Sequence, residues 1–137
     1  MAGRLSLKAL KGMKANVHIK LKAHKITNSD ALLGAGASPK ARTELAGKLG
    51  VNPSHVLELI NRADLARVKG IGSIYANMLE VAGVDTVKEL AQRKPDNLAA
   101  TLAEVNAKKK LTKQTPTADQ VKDWVGQAKA LKKVVTY

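Results

Sequence analysis

Cysteine and phenylalanine are both absent from this 137-residue chain, whose only aromatics are one tryptophan and two tyrosines. The lack of cysteine excludes disulfides and thiolate metal sites, and it fits a reducing, cytoplasmic setting. With aromatics at 2%, the stacking platforms that single-strand binders rely on are missing too. No apolar run reaches the roughly 18 residues that a membrane helix requires. Acids are the last shortage. Eleven Asp+Glu stand against twenty-four Lys+Arg, a formal net charge of +13. Such an excess points to a polyanionic partner, nucleic acid ahead of an anionic membrane surface. Membrane association also lacks a strongly amphipathic helix carrying bulky aromatics.

From Met1 to Asn28 there are seven Lys/Arg, two His and no acid, which superficially resembles an organelle transit peptide. The motif content of the segment assigns it to the fold instead.

Strand signals are nearly missing, whereas helix punctuation is dense. Ser38-Pro39 and Asn52-Pro53 each put a capping side chain before a proline suited to the first helical position. Thr86-Val87-Lys88-Glu89 and Thr117-Ala118-Asp119-Gln120 read as capping boxes. Between these signals the apolar spacing is helical: Leu98, Leu102, Val105, then Val121, Trp124, Val125, Ala128, Leu131. The expectation is an all-α chain of short helices forming one compact domain.

An internal repeat organises it. A shift of 58 residues lays "LKGMKANVHIKLKAHKITNSDALL" (10–33) on "VKGIGSIYANMLEVAGVDTVKELA" (68–91). Lys11 then meets Lys69, Gly12 meets Gly70, Leu21 meets Leu79, Ile26 meets Val84 and Leu32 meets Leu90. The segments that follow correspond as well: "SPKARTELAGKLG" with "PDNLAATLAEVNA", and "NPSHVLELINRADL" with "TADQVKDWVGQAKAL". Two related halves are expected, 1–66 and 67–137, each a hairpin followed by further short helices.

The second half carries the pattern h-x-G-h-G, a helix, Gly-Val and a capped helix, which is the helix–hairpin–helix signature. A short first helix is predicted over Ala63–Val68, the hairpin at Lys69-Gly70-Ile71-Gly72, and a second helix over Ser73–Val81 with Ile74, Tyr75, Met78 and Leu79 on its buried side. Glycine at both hairpin positions permits positive φ and removes the Cβ that keeps another backbone away. Ile71 points inward and pins the turn. The N–H groups of Gly70, Gly72 and Ser73 then lie unpaired at a helix start, where partial positive charge favours phosphate. Lys69 adds a full charge. Such a site reads the phosphate rather than the base.

The first half departs from the pattern, because its hairpin is Lys11-Gly12-Met13-Lys14 and the second glycine has become lysine. Ile74 also corresponds to Asn16 and Met78 to Lys20. Two readings remain. Either this half binds phosphate through side chains (Lys8, Lys11, Lys14, Lys20, Lys22, Lys25, with His18 and His24), or it is a scaffold with a solvated basic face. With no Cys or paired carboxylate beside them, the histidines read as surface or partly buried residues in preference to metal ligands. A third basic cluster, Lys108-Lys109-Lys110 with Lys113, ends the helix around Leu98–Val105 and is an accessory phosphate contact or a solvated run.

From Leu10 to Leu131 the chain resembles the tandem helix–hairpin–helix domain of a prokaryotic family of unknown function. The resemblance is carried by "NRADLARVKGIGSIYANMLEVAGVDTVKELAQRKPDNL", "LAEVN" and "VKDWVGQAKAL". The wider superfamily includes units of DNA ligases and repair polymerases and binds duplex DNA through its hairpins without sequence preference. The resemblance implies phosphate-site roles for Gly70, Ile71, Gly72 and Ser73, while in the first half only Gly12 matches. Some superfamily hairpins hold a monovalent cation on their carbonyls, and no other cofactor is implied.

An enzyme is not expected: no Cys/His or Ser/His/Asp arrangement, metal spacing or phosphate-binding loop ending in Gly-Lys-Ser/Thr is present. The sequence points to non-specific duplex DNA binding through Lys69, Gly70, Ile71, Gly72 and Ser73, with Lys11, Gly12, Lys14, Lys20, Lys108 and Lys110 around them. The competing reading is an adaptor for a protein or RNA partner.

Overall fold

The computed structural model describes residues 5–137, so Arg4 of the basic N-terminal segment lies outside the described part. After a single 3₁₀ turn at Leu7–Ala9, the chain forms eight α-helices: α1 (Ala15–Ala23), α2 (Ser29–Ala35), α3 (Pro39–Leu49), α4 (Pro53–Leu65), α5 (Ser73–Val81), α6 (Val87–Gln92), α7 (Pro95–Lys109) and α8 (Ala118–Ala130). An isolated bridge between Ser6 and Asn28 is the sole extended pairing among the described residues. The fold is all-α.

Four of the eight α-helices, α2, α3, α6 and α8, start where a side chain closes the first turn. Ser38 accepts from the N–H of Ala41, and Thr117 and Gln120 make a reciprocal capping box. Two caps differ from expectation. Asn52 precedes Pro53 but makes no side-chain cap bond. The second expected box is half-formed: Thr86 accepts from the N–H of Glu89, while the Glu89 carboxylate takes Arg93 Nε at 3.0 Å. Asn28, which the sequence did not single out, caps α2 by accepting from the N–H of Ala31.

The correspondence across 58 residues extends to backbone geometry. Helices α1 and α5 are both nine residues long, and Gly12 (φ 90°) and Gly70 (φ 99°) hold the turn before each. The N–H of Met13 reaches Leu10 O at 3.2 Å, as that of Ile71 reaches Val68 O at 3.1 Å. At the far ends, Ile26 N–H bonds to Leu21 O at 2.9 Å and Val84 N–H to Leu79 O at 2.8 Å. These bonds close each helix in a Schellman-type turn. The left-handed residue there is Gly83 in one half and Lys25 (φ 62°) in the other, where a lysine bears strain that glycine avoids.

Two apolar clusters form the interior. Leu7, Leu10, Val17, Leu21, Leu32, Leu45, Leu49, Leu59 and Ile60 belong to the first; Val68, Ile71, Met78, Leu79, Leu90, Leu98, Leu102, Trp124 and Val125 belong to the second. Helix α4 packs on α2 and α3, and α8 packs on α6 and α7, so each cluster is built around one central helix. The clusters meet where α4 runs into the second hairpin. The separate short helix expected over Ala63–Val68 does not exist: α4 continues to Leu65 and a turn completes the segment. Helical spacing from Val56 through Ile60 and Ala63 keeps one buried stripe running, and nothing interrupts it earlier.

Buried polar groups tie the halves together. Asp64, 4% exposed, accepts from Arg67 Nη1 at 2.9 Å and from the N–H of Val87 at 2.9 Å, anchoring the start of α6 to the end of α4. Arg67 Nη2 donates to Lys132 O. Beyond α8 the chain crosses back to the first half, where Val135 enters the first cluster. Arg42, 5% exposed, donates to Gly36 O, Ala37 O and Thr136 O. Its guanidinium also lies 5.6 Å from the centre of the Tyr137 ring. Removing one partner of such a buried set leaves a charge without compensation, which costs far more than a surface ion pair contributes.

The two hairpin glycines are not equivalent. Gly70 sits at φ 99°, and an added Cβ would lie 3.1 Å from Trp124 Nε1. Gly72 is extended (φ −93°, ψ −166°), with nothing within 4 Å of an added Cβ. Gly70→Ala should therefore cost about 1–3 kcal/mol, and Gly72→Ala should stay within about 0.5 kcal/mol of wild type. Urea unfolding followed by circular dichroism measures both; equal losses would contradict this geometry.

Candidate nucleic-acid interface

The second hairpin is positioned from behind by α8. Gln127 brackets Lys69 by accepting from its N–H at 2.8 Å and donating Nε2 to its carbonyl at 2.9 Å. Trp124, 2% exposed, packs beneath Gly70, and Tyr75 meets the Trp124 ring with centroids 5.2 Å apart. Ile71, 3% exposed, anchors the turn in the second cluster. The backbone is thus held from the inside while its outer face stays open.

That face carries donors. The N–H groups of Gly70, Gly72, Ser73, Ile74 and Tyr75 make no bond to an acceptor among the described residues, whereas Ala76 N–H closes the first turn onto Gly72 O at 2.9 Å. Gly72 has no side chain to cap them, and α5 has no acid in its first turn. Unpaired N–H groups at a helix start, undisturbed by carboxylates, form an anion-attracting surface.

The loop after α7 lines the same cleft, with Thr112 facing Gly70, Gly72 and Ser73. Asn106 shapes this loop: its Nδ2 donates to Thr112 O and Thr115 Oγ1, and its Oδ1 accepts from Thr112 N–H. Tyr75 joins it through a 3.3 Å bond from its hydroxyl to Gln114 O. The exposed Lys108, Lys110 and Lys113 therefore belong to a segment that contributes to the hairpin cleft. The sequence offered no sign that Asn106 and Thr112 matter, because their effect depends on a contact between α5 and α7.

Ile74 corrects the expected buried face. It is 54% exposed, and Ala76 is buried in its place. At the second position of α5 it sits at the lip of the cleft, ahead of the inward-facing residues. Its counterpart Asn16 is exposed as well, so the first half has lost no core residue there.

In the first half, Gly12 preserves the positive-φ turn, and the N–H groups of Gly12, Lys14, Ala15, Asn16 and Val17 likewise find no acceptor among the described residues. Lys14 occupies the N-cap of α1 with φ −84° and ψ 148°, an extended conformation open to any residue. Replacing the second glycine therefore adds a charged side chain without straining the turn. Lys14 borders a polar cavity shared with Asn52, Ser54 and His55 at the start of α4, the counterpart of the cleft lined by Gly72 and Thr112. Lys11 is exposed beside Gly12. Lys20 is engaged elsewhere: its Nζ donates to Leu49 O at 3.1 Å and closes the C-terminus of α3, where a cation is favoured. That contact explains a lysine where the other half has the fully buried Met78.

Behind the first hairpin, Arg62 Nη1 lies 3.7 Å from where a Gly12 Cβ would be, and Arg62 Nη2 pairs with Glu80 at 2.7 Å, joining α4 to α5. Burial raises the Glu80 carboxyl above its ordinary range; Arg62 pulls it down, and Glu58 and Asp85 push it further up. Burial is the largest of these effects, so the folded protein holds this proton more tightly than the unfolded chain does. The contribution of Glu80 is then greatest below its ordinary value of 4.5 and declines as pH rises through the raised folded value. The stability of wild type relative to Glu80→Gln should fall between pH 4 and pH 7 in parallel chemical-denaturation series; a rise would contradict the dominance of burial.

No helix among the described residues is long and apolar enough to cross a membrane. Neither a curated protein nor a solved structure matches the chain. A family model does, over residues 11–131, the span that contains both hairpins, both central helices and the cleft. The chain belongs to the family described as Domain of unknown function (DUF4332).

Proposed function

We propose that this protein is a tandem helix–hairpin–helix module that binds duplex DNA without sequence preference, gripping backbone phosphates, and that it performs no catalysis. The observation that carries this reading is the paired hairpin. Twice, 58 residues apart, a positive-φ glycine turn delivers a nine-residue helix whose first N–H groups are free and whose first turn is without acids. These donors occur in a chain with net charge +13. Free helix-start donors reward a phosphate oxygen, and surrounding lysines draw in the polyanion at long range. Neither supplies a pattern matched to base edges, so affinity comes from the backbone.

The second hairpin, Lys69 to Ser73, grips a phosphate chiefly through its backbone, with Lys108 in the last turn of α7 and Lys110 at its C-cap nearby. The first, Lys11 to Lys14, adds Lys14 as a side-chain contact. Lys20 supports the first half by capping α3 rather than by reaching phosphate. On this reading the protein works in the cytoplasm on the nucleoid. The exposed side chains of Ile19 and Ile74 favour a second reading, an adaptor that docks a protein partner.

Fluorescence anisotropy with a random duplex across a salt series tests the proposal. The logarithm of the affinity should fall linearly with the logarithm of salt, at about −0.9 per phosphate contact. Gly72→Asp places a carboxylate among the free donors and should weaken binding at least about tenfold, with an unchanged circular dichroism spectrum. Flat salt dependence, or full binding by Gly72→Asp, would reject the proposal in favour of the adaptor.

A further inference from the structure

Apart from the cleft beside the second hairpin, the structure holds a cavity that the DNA-binding reading does not use. It has a volume of about 310 Å³ and sits between α6, the end of α8 and the returning C-terminal segment. This size falls within the roughly 300–1,000 Å³ of small-molecule sites. Its floor is apolar, formed by Val87 and Ala91 of α6 with Ala128 and Leu131 at the end of α8. The C-terminal segment supplies Val134 and Val135, and Val135 packs at the same time into the first cluster. Apart from Asp64, the cavity is walled by residues of the second half.

Its charge is one-sided. Lys88, Lys129 and Lys133 line it, all three are exposed, and none forms an ion pair among the described residues. Asp64 is the sole acid in the lining, and both its oxygens are occupied, one by Arg67 Nη1 and the other by the N–H of Val87. Arg67 cancels that charge and spends its remaining Nη2 on Lys132 O. Three lysine charges therefore remain without an answering group around an apolar floor. A neutral ligand would satisfy the floor and leave the lysines unanswered, and a nucleic-acid phosphate would do the reverse. A ligand with an anionic head on an apolar chain satisfies both.

We infer that this cavity binds a free, single-chain fatty carboxylate of medium length, with its chain on the Val87–Ala91–Ala128–Leu131 floor and its head among Lys88, Lys129 and Lys133. None of the hairpin residues Lys69, Gly70, Ile71, Gly72 and Ser73 lines this cavity.

Isothermal titration calorimetry of the full chain with hexanoate, octanoate and decanoate below their micellar concentrations tests this. One saturable site is expected, tightening about fourfold per added methylene until the cavity is full. The neutral analogue decanol should bind more weakly than decanoate. Replacing Lys88, Lys129 and Lys133 together by alanine should cost decanoate up to about fivefold for each lysine and leave decanol unaffected. Ala91→Phe, which fills the floor, should abolish binding of both while the protein stays helical. If Ala91→Phe fails to fold, the triple lysine variant, altered only at exposed positions, still decides the question. Absence of saturable decanoate binding, equal affinity for decanol, or a triple variant that binds decanoate as wild type does would each overturn the inference.

Discussion

The structure depends on one backbone constraint, a left-handed glycine placed three residues before the first residue of a helix. At Gly12 and Gly70 the chain turns through positive φ, which reverses its direction in a few atoms and leaves the first N–H groups of the next helix without acceptors. A side-chain cap could have satisfied them, yet Lys14 and Gly72 supply none. Unsatisfied donors on a soluble helix are tolerable only where water or a ligand reaches them. The turn therefore fixes the path of the fold and creates an outward-facing donor surface together. Everything behind it serves to hold it: Ile71 in the core, Trp124 beneath Gly70, and Gln127 bracketing Lys69.

Against that shared frame, the differences between the halves have local causes. A lysine replaces glycine at 14 because the second hairpin position is extended in both halves and accepts any side chain. Lys20 replaces a buried methionine because a helix C-terminus lies within its reach. Lys25 in the left-handed region is the costlier exchange, retained where Gly83 stands in the other half. The halves are joined by the Asp64–Arg67 pair, the Arg62–Glu80 pair and the C-terminal segment bound by Arg42.

Much of the fold could be read from the residues because its signals are local. Caps at Ser38, Thr86 and Thr117, helical apolar spacing, and the offset between the two "KG" turns each depend on a few neighbouring positions. The glycine turn at Gly70 before α5 was legible for the same reason. Local reading went astray where a residue's surroundings come from a distant segment. Ile74 was expected inside because it is apolar, but it lies one helical position before the inward face, at the mouth of a cleft completed by Thr112. The short helix over Ala63–Val68 merged into α4 because the apolar stripe carries through. Asn106, Gln127 and Trp124 support the cleft through contacts that no short motif encodes. Likewise, nothing in the spacing of Lys88, Lys129 and Lys133 announces that they line one cavity.

The central claim is that the donors at the hairpins are the groups that meet phosphate. The most direct measurement is an amide NMR titration of the full chain with a short random duplex, read at individual N–H signals. The account predicts the largest changes at Gly70, Gly72, Ser73 and Ile74, with a smaller set at Lys14, Ala15 and Asn16, and little change at Ala91 and Ala128. Changes confined to other faces, with the hairpin amides unmoved under a saturating duplex, would contradict it.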